Sequence, residues 1–331
     1  MGEFDLIRRY FKDRQKYPNN IPLGIGDDCA LLMPRPETHI AISCDMLVEG
    51  RHFLSTVSAQ ALGHKALAVN LSDLAACGAT PVAFTLALAM PHVDAAWLEG
   101  FSQGLFALAD AHACTLIGGD TTRGPLNICI TVFGEVPIVN GKSQALLRSG
   151  AAVGDDIYVS GTLGDARLAL EAFRGNVQLE TELFAQARVR MERPTPRVHL
   201  GMALRGIASS AIDISDGLLG DLGHILQASG VGACIDTSIA INLIAVSAYS
   251  TSFKGIFSSE NLLKMVLSGG DDYELVFTAA PGMRQAIASA AMHTQTTVTR
   301  IGCIQAEPGL RLMDAQGQIT EALHKSFDHF A

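Results

Sequence analysis

The chain has 331 residues, is 48% hydrophobic and carries a formal charge of −9, from 24 Lys and Arg against 33 Asp and Glu. That length accommodates two domains or one large one. The acidic balance excludes a nucleic-acid binder, which needs a basic face, and leaves phosphate binding open only if divalent metal supplies the positive charge.

The start, Met1-Gly2-Glu3-Phe4-Asp5, is charged at once and lacks the apolar core of a signal peptide. Gly26-Asp27-Asp28 is the first of five short acidic clusters; the others are Ser43-Cys44-Asp45, Gly118-Gly119-Asp120, Asp213-Ile214-Ser215-Asp216 and Gly269-Gly270-Asp271-Asp272. His39 to Ser43 reads as a strand that delivers Asp45 at its C-terminal end. Gln60 to Cys77 reads as a helix stopped by Gly78 and, beyond it, Pro81. Asn70 and Asp73, three residues apart, share one face of it. Val82 to Met90 is apolar enough for a strand buried on both faces, and Pro81 to Pro91 is too short to cross a membrane. Asp94 to Ala113 follows as a helix, Leu116-Ile117 as a short strand ending in Gly118-Gly119-Asp120, and Asn127 to Val136 as a strand. Asn140-Gly141 is a hairpin signal.

Small and glycine-rich residues from Arg148 to Asp156 then mark a boundary, which divides residues 1–140 from residues 148–331. Beyond it come a strand (Ile157 to Ser160), a helix (Asp165 to Phe173), and a strand (Ala211 to Ser215) turning into a helix near Asp216. An apolar run, Leu262 to Leu267, leads into the last acidic cluster, and Tyr273 to Thr278 is again a strand. Helical and strand-like runs alternate throughout, so the fold class is α/β with α+β character. The seven Cys (29, 44, 77, 114, 129, 234 and 303) have no CxxC spacing and read as reduced core thiols of a cytoplasmic protein.

Asp is disfavoured in strands and expensive to bury without a partner, so five clusters in otherwise apolar segments point to a common purpose. Asp28, Asp45, Asp73, Asp120, Asp213 and Asp216 are hard oxygen donors of the kind that hold Mg²⁺, and through it phosphate. Neighbouring glycines let backbone N–H groups approach phosphate, and the helix opening at Asp216-Gly217 adds partial positive charge. Arg51, Arg123 and Arg148 are the basic residues near these clusters, and Arg suits bidentate phosphate binding. Gly141-Lys142-Ser143 is no P-loop: six residues separate it from Gly134, and the segment reads as a hairpin. No HExxH or GxSxG occurs, which leaves zinc and nucleophilic hydrolysis without support.

The runs GEFDLIRRYF, GIGDDCALL, KALAVNLSDLAACGA, IGGDTTRGP, LLRSG, AIDISDGLLGDLGHI, SGGDDYEL and a terminal DHF, in this order from residue 2 to 330, resemble the thiamine-monophosphate kinase family. The resemblance implies the two-domain fold of the aminoimidazole ribonucleotide synthetase superfamily: an N-terminal α/β domain that pairs across a homodimer and a C-terminal α+β domain that completes the nucleotide and substrate site. It implies ATP-dependent phosphorylation of thiamine monophosphate with several Mg²⁺ ions. By position, Asp28, Ser43, Cys44, Asp45, Asp73, Asp120 and Asp213 would ligate metal, with Asp216 holding a further ion. Gly119, Asp120, Arg148 and Ser215 would contact ATP, and His52, Asp271 and Phe327 would face the substrate. No covalent catalytic residue is expected. Three positions depart from the family pattern: Cys44 stands where Thr or Ser is usual and leaves a backbone carbonyl as ligand, Asp271 replaces Glu, and Phe327 replaces Trp or Tyr.

Overall fold

A computed structural model describes residues 2–245 and 257–321. The chain divides into two compact units, one of Met1–Leu74 and Ala79–Ala145, the other of Ala75–Gly78 and Leu146–Ala331.

In the first unit the elements run α1 (Glu3–Tyr10), β1 (Thr38–Val48), α2 (Ala59–Ala76), β2 (Thr80–Met90), α3 (Ala95–Ala111), β3 (Thr115–Arg123), β4 (Asn127–Val139) and β5 (Lys142–Ser143). The sheet order is β1-β4-β2-β3, with β5 paired to β4. Only the β2–β3 pair is parallel, and α3 makes its crossover. Buried side chains recur with period two along both central strands: Phe84, Leu86, Leu88 and Met90 on β2, Ile128, Ile130 and Val132 on β4. Helix α2 is buried on almost every side from Ala66 to Ala75, which is why its sequence is alanine- and leucine-rich rather than amphipathic. Asp94 caps α3 by accepting the Ala96 and Trp97 N–H groups at 2.9 and 3.1 Å. Between Val139 and Lys142, Asn140 and Gly141 adopt φ of 51° and 73°, the two left-handed positions of a type I′ turn.

In the second unit the order is β6 (Asp156–Ser160), α4 (Asp165–Phe173), α5 (Thr181–Glu192), α6 (Val198–Ala203), β7 (Ser210–Ile214), α7 (Leu218–Ser229), β8 (Gly232–Asp236), α8 (Thr237–Ala240), α9 (Ser259–Ser268), β9 (Glu274–Ala279), α10 (Arg284–His293), β10 (Val298–Gln305), β11 (Gly309–Met313) and β12 (Ile319–Glu321). Their sheet runs β12-β11-β8-β10-β6-β9-β7, antiparallel except for β11–β8. On β9, next to the β7 edge, the fully buried Glu274 carboxylate accepts from Arg197 (2.6 Å, twice), Arg190 (2.8 Å) and Ser160 (2.6 Å). A buried charge persists only with partners of this kind.

The structure corrects four sequence expectations. Asp45 does not end its strand: β1 continues to Val48, and Asp45 pairs with Ile130 in its interior. The strand at Leu116-Ile117 likewise runs on through Gly118-Gly119-Asp120 to Arg123. Both are edge strands, where one side of the backbone has no sheet neighbour and Asp is tolerated. Strand β2 is not buried on both faces, because Ala87 is exposed while Thr85 and Ala89 are half-buried. Among the cysteines, which are all free thiols, Cys114 and Cys234 are buried but Cys29, Cys44 and Cys303 are exposed.

Candidate active site

Strand β1 presents Ser43 and Asp45 toward α2. The Ser43 hydroxyl donates to Asp73 Oδ2 at 2.5 Å, and the Asp45 N–H donates to Asn70 Oδ1 at 3.0 Å. Asn70 is fixed by its own donation to the Ala66 carbonyl, 3.0 Å away, so one helical turn of α2 holds β1 through the Ser43 side chain and the Asp45 backbone. Cys44 points to the opposite, open face, where its Sγ lies 3.4 Å from Cys129 Sγ. Burial raises the Cys129 thiol to about 11, with Cys44 adding to the effect. Just beyond the strand, His52 Nδ1 accepts the Val48 N–H at 3.0 Å, which fixes the ring's direction. In that arrangement its proton sits on Nε2.

Gly119 and Asp120 lie on the other edge strand. The register aligns Asp45, Ile130, Leu86 and Gly119 in one row across the sheet, so β1 and β3 are three strand spacings apart, about 14 Å. Gly119 has φ +148°, and a Cβ there would lie 1.8 Å from the Leu86 carbonyl oxygen. Asp120 is exposed, as is Asp28, whose N–H donates to Asp27 Oδ1 at 2.8 Å. Arg123, following Asp120, donates to the Pro91 carbonyl.

In the second unit Asp213 is buried on β7 opposite Leu275 of β9. The strand then turns through Ser215 and Asp216 into α7. Ser215's carbonyl accepts the Asp271 N–H at 2.7 Å, and Ile214's accepts the Tyr273 N–H at 2.9 Å. Asp271 and Tyr273 take φ of 62° and 52°, a left-handed conformation held by this docking. Gly270 makes the approach possible, since a Cβ there would lie 2.8 Å from the Ser215 carbonyl oxygen. Arg148 is exposed, and its carbonyl accepts from Ser229 at 3.4 Å. Phe327 lies outside the described residues.

Asp221, within the run AIDISDGLLGDLGHI, carries no role legible from its sequence neighbours alone. Its Oδ2 accepts the Asp216 and Gly217 N–H groups at 3.1 and 3.0 Å. Burial lifts its carboxyl to about 7, the Asp216 charge adds to this, and the backbone donors oppose it. The signal its sequence does give is an acidic residue in the first turn of a helix. Asp272, buried, accepts the Gly164 N–H at 3.0 Å; burial holds its carboxyl well above the ordinary carboxylate range.

The donor set is carboxylate and hydroxyl oxygen without imidazole, the chemistry that suits Mg²⁺. Among the described residues no three His, Cys, Asp or Glu side chains converge as a metal site within this chain. No described helix is long and apolar enough to cross a membrane.

Two acidic edge strands, an acidic strand-to-helix turn and two sheets of this order define a class of proteins, and sequence comparison names it. Residues 26–136 match the AIR synthase related protein N-terminal domain and residues 152–315 its C-terminal domain, so the chain belongs to that family. Within it, thiamine-monophosphate kinase of Escherichia coli K12 is 45% identical over 332 residues, covering 100% of this chain and 98% of that protein. The crystal structure of thiamine-monophosphate kinase from Stenotrophomonas maltophilia K279a has a TM-score of 0.83 at 44% identity, covering 94% of this chain and 96% of that one. AaThiL complexed with AMPPCP and TMP has a TM-score of 0.75 at 28% identity, covering 99% and 97%. The chain is thus a member of the thiamine-monophosphate kinases.

Proposed function

We propose that the protein transfers the γ-phosphate of ATP directly to thiamine monophosphate, giving thiamine diphosphate and ADP. The observation that carries this is the end-to-end likeness to the E. coli kinase, 45% identical over 332 residues. The relative that binds AMPPCP, an ATP analogue, together with TMP supports both substrates.

A phosphate monoester with a second pKa of about 6 is largely dianionic at pH 7, so the acceptor needs no strong base. The obstacle is repulsion between two anions. In the first unit Asp28, Ser43, the Cys44 carbonyl, Asp45, Asp73 and Asp120 are suited to hold Mg²⁺. Asp213 and Asp216 play that part in the second. Mg²⁺ bound there supplies charge neutralisation and alignment for in-line displacement. Gly119, Asp120, Arg148 and Ser215 contact ATP, while His52, Asp271 and Phe327 orient the thiamine substrate. No side chain forms a bond to phosphorus.

The acting species is a homodimer paired through the first unit. Asp45 and Asp120 stand on opposite edges of one sheet, about 14 Å apart, too far for one ion to bridge within a single copy. The open face between those edges exposes Ile42 and Met46 at 63% and 53%. Two such sheets facing each other would cover that surface and bring unlike edges together. Free thiols at all seven cysteines support a cytoplasmic setting.

A coupled assay for ADP tests the assignment. ADP release that requires thiamine monophosphate, is not supported by thiamine, and stops with EDTA is the expected result. Equal ADP release without any acceptor would overturn it.

A further inference from the structure

Between β7 and α7 the chain makes one turn that serves three proposed contacts at once: Ser215 toward ATP, Asp216 toward metal and, through the Ser215 carbonyl, Asp271 toward the substrate. The turn has little freedom of its own to stay in place. Gly217 sits at φ +113°, and a Cβ there would lie 3.0 Å from Ser268 Cα. What fastens the turn from below is Asp221, only 3% exposed. Its carboxylate gathers the Asp216 and Gly217 N–H groups at 3.1 and 3.0 Å, and the Ser215 N–H is directed to it as well. The far side of the turn is fastened by the Asp271 N–H at 2.7 Å and, one residue earlier, by the Tyr273 N–H at 2.9 Å. Asp221 has no route to the reactants, since it stands one helical turn into α7 behind the backbone it binds.

We infer that Asp221 is a positioning residue for phosphoryl transfer, which orients Ser215 and Asp216 directly and Asp271 through the Ser215 carbonyl. This rests on the kinase reading above. Both bonds fall on the one oxygen Oδ2, so an Asn side chain keeps that acceptor but loses the charge that strengthens it, and turns an N–H₂ toward the Ser215 N–H. Asp221→Asn therefore keeps the volume of the site and loosens the turn.

The test uses the full chain and its Asp221→Asn and Asp221→Ala variants. The expected result for Asp221→Asn is cooperative melting, a kcat lower by about 10- to 100-fold, the scale of lost support behind a ligand, and a several-fold rise in both the KM for ATP and the Mg²⁺ concentration for half-maximal rate. Asp221→Ala is expected to show larger changes in the same constants. Unchanged KM and Mg²⁺ midpoint in a less stable Asp221→Asn protein would overturn the inference, leaving a helix cap only. Loss of cooperative melting in both variants would overturn it as well. Calorimetric titration with Mg²⁺ and AMPPCP separates this from the choice of acceptor: weaker binding by Asp221→Asn supports the positioning role even if the wild-type chain fails to phosphorylate thiamine monophosphate. Equal binding by both counts against it.

Discussion

At the scale of single residues, His52 and Asp120 make contrasting cases. His52 is already oriented by the protein, with Nδ1 on the Val48 N–H at 3.0 Å. If it meets the acceptor as proposed, His52→Ala should raise the KM for thiamine monophosphate and leave that for ATP nearly unchanged, measured by initial rates at saturating co-substrate. A selective rise in the KM for ATP would contradict the assignment. Asp120 is exposed and lies in an edge strand, so Asp120→Asn removes charge without disturbing packing. Melting should stay within a degree or two of wild type while turnover falls roughly 100-fold or more, the scale of one preorganised electrostatic contact. Full activity in that variant would remove Asp120 from the site.

Among elements, β6 carries a pH-sensitive attachment. Asp156, 3% exposed, accepts from Arg284 at 2.7 and 2.9 Å and from Arg300 at 3.1 Å. Chiefly through Arg284 its carboxyl is held below the ordinary value of 3.8, against the opposing effect of burial. In the unfolded chain an Asp titrates near 3.9, roughly. The stabilisation is therefore complete above about pH 4 and is lost as the pH falls through the lower native value. Asp156→Asn should cost about 1.5–3 kcal/mol at pH 7, the worth of hydrogen bonds to a charged group. It should also flatten the acid limb of the melting-temperature curve. Parallel acid limbs in variant and wild type would refute this. Elements set by local chemistry were legible in the sequence: the helix α3 beginning near Asp94, the alanine-rich α2 ending at Gly78, and the Asn140-Gly141 turn. Strand extent was not. Asp45 and Asp120 looked like strand ends because Asp is a poor strand residue, and only the sheet order reveals that both sit on edges. Contacts such as Ser43 with Asp73 join residues 30 apart in sequence and depend on how α2 packs on β1, which no local pattern encodes.

For the whole molecule, the acidic clusters were readable as a group, but their distribution was not. Ser43, Asp45 and Asp73 gather against α2, Asp120 stands across the sheet, and Asp213, Ser215, Asp216 and Asp271 gather in the second unit. On the proposed function, metal offsets the repulsion between two phosphorylated substrates in an acidic chain, and a second copy brings the β3 edge to the β1 edge. If the proposed dimer forms through this face, Ile42→Glu with Met46→Glu should convert it to a monomer in light scattering and abolish turnover together. A fully active monomer would show that one copy suffices. Phosphoryl transfer to thiamine monophosphate is tested most directly by ³¹P NMR of the purified protein with ATP, Mg²⁺ and thiamine monophosphate. The expected result is ADP and thiamine diphosphate appearing in equal amounts, with both abolished by EDTA. ADP with free phosphate and no diphosphate product would contradict it.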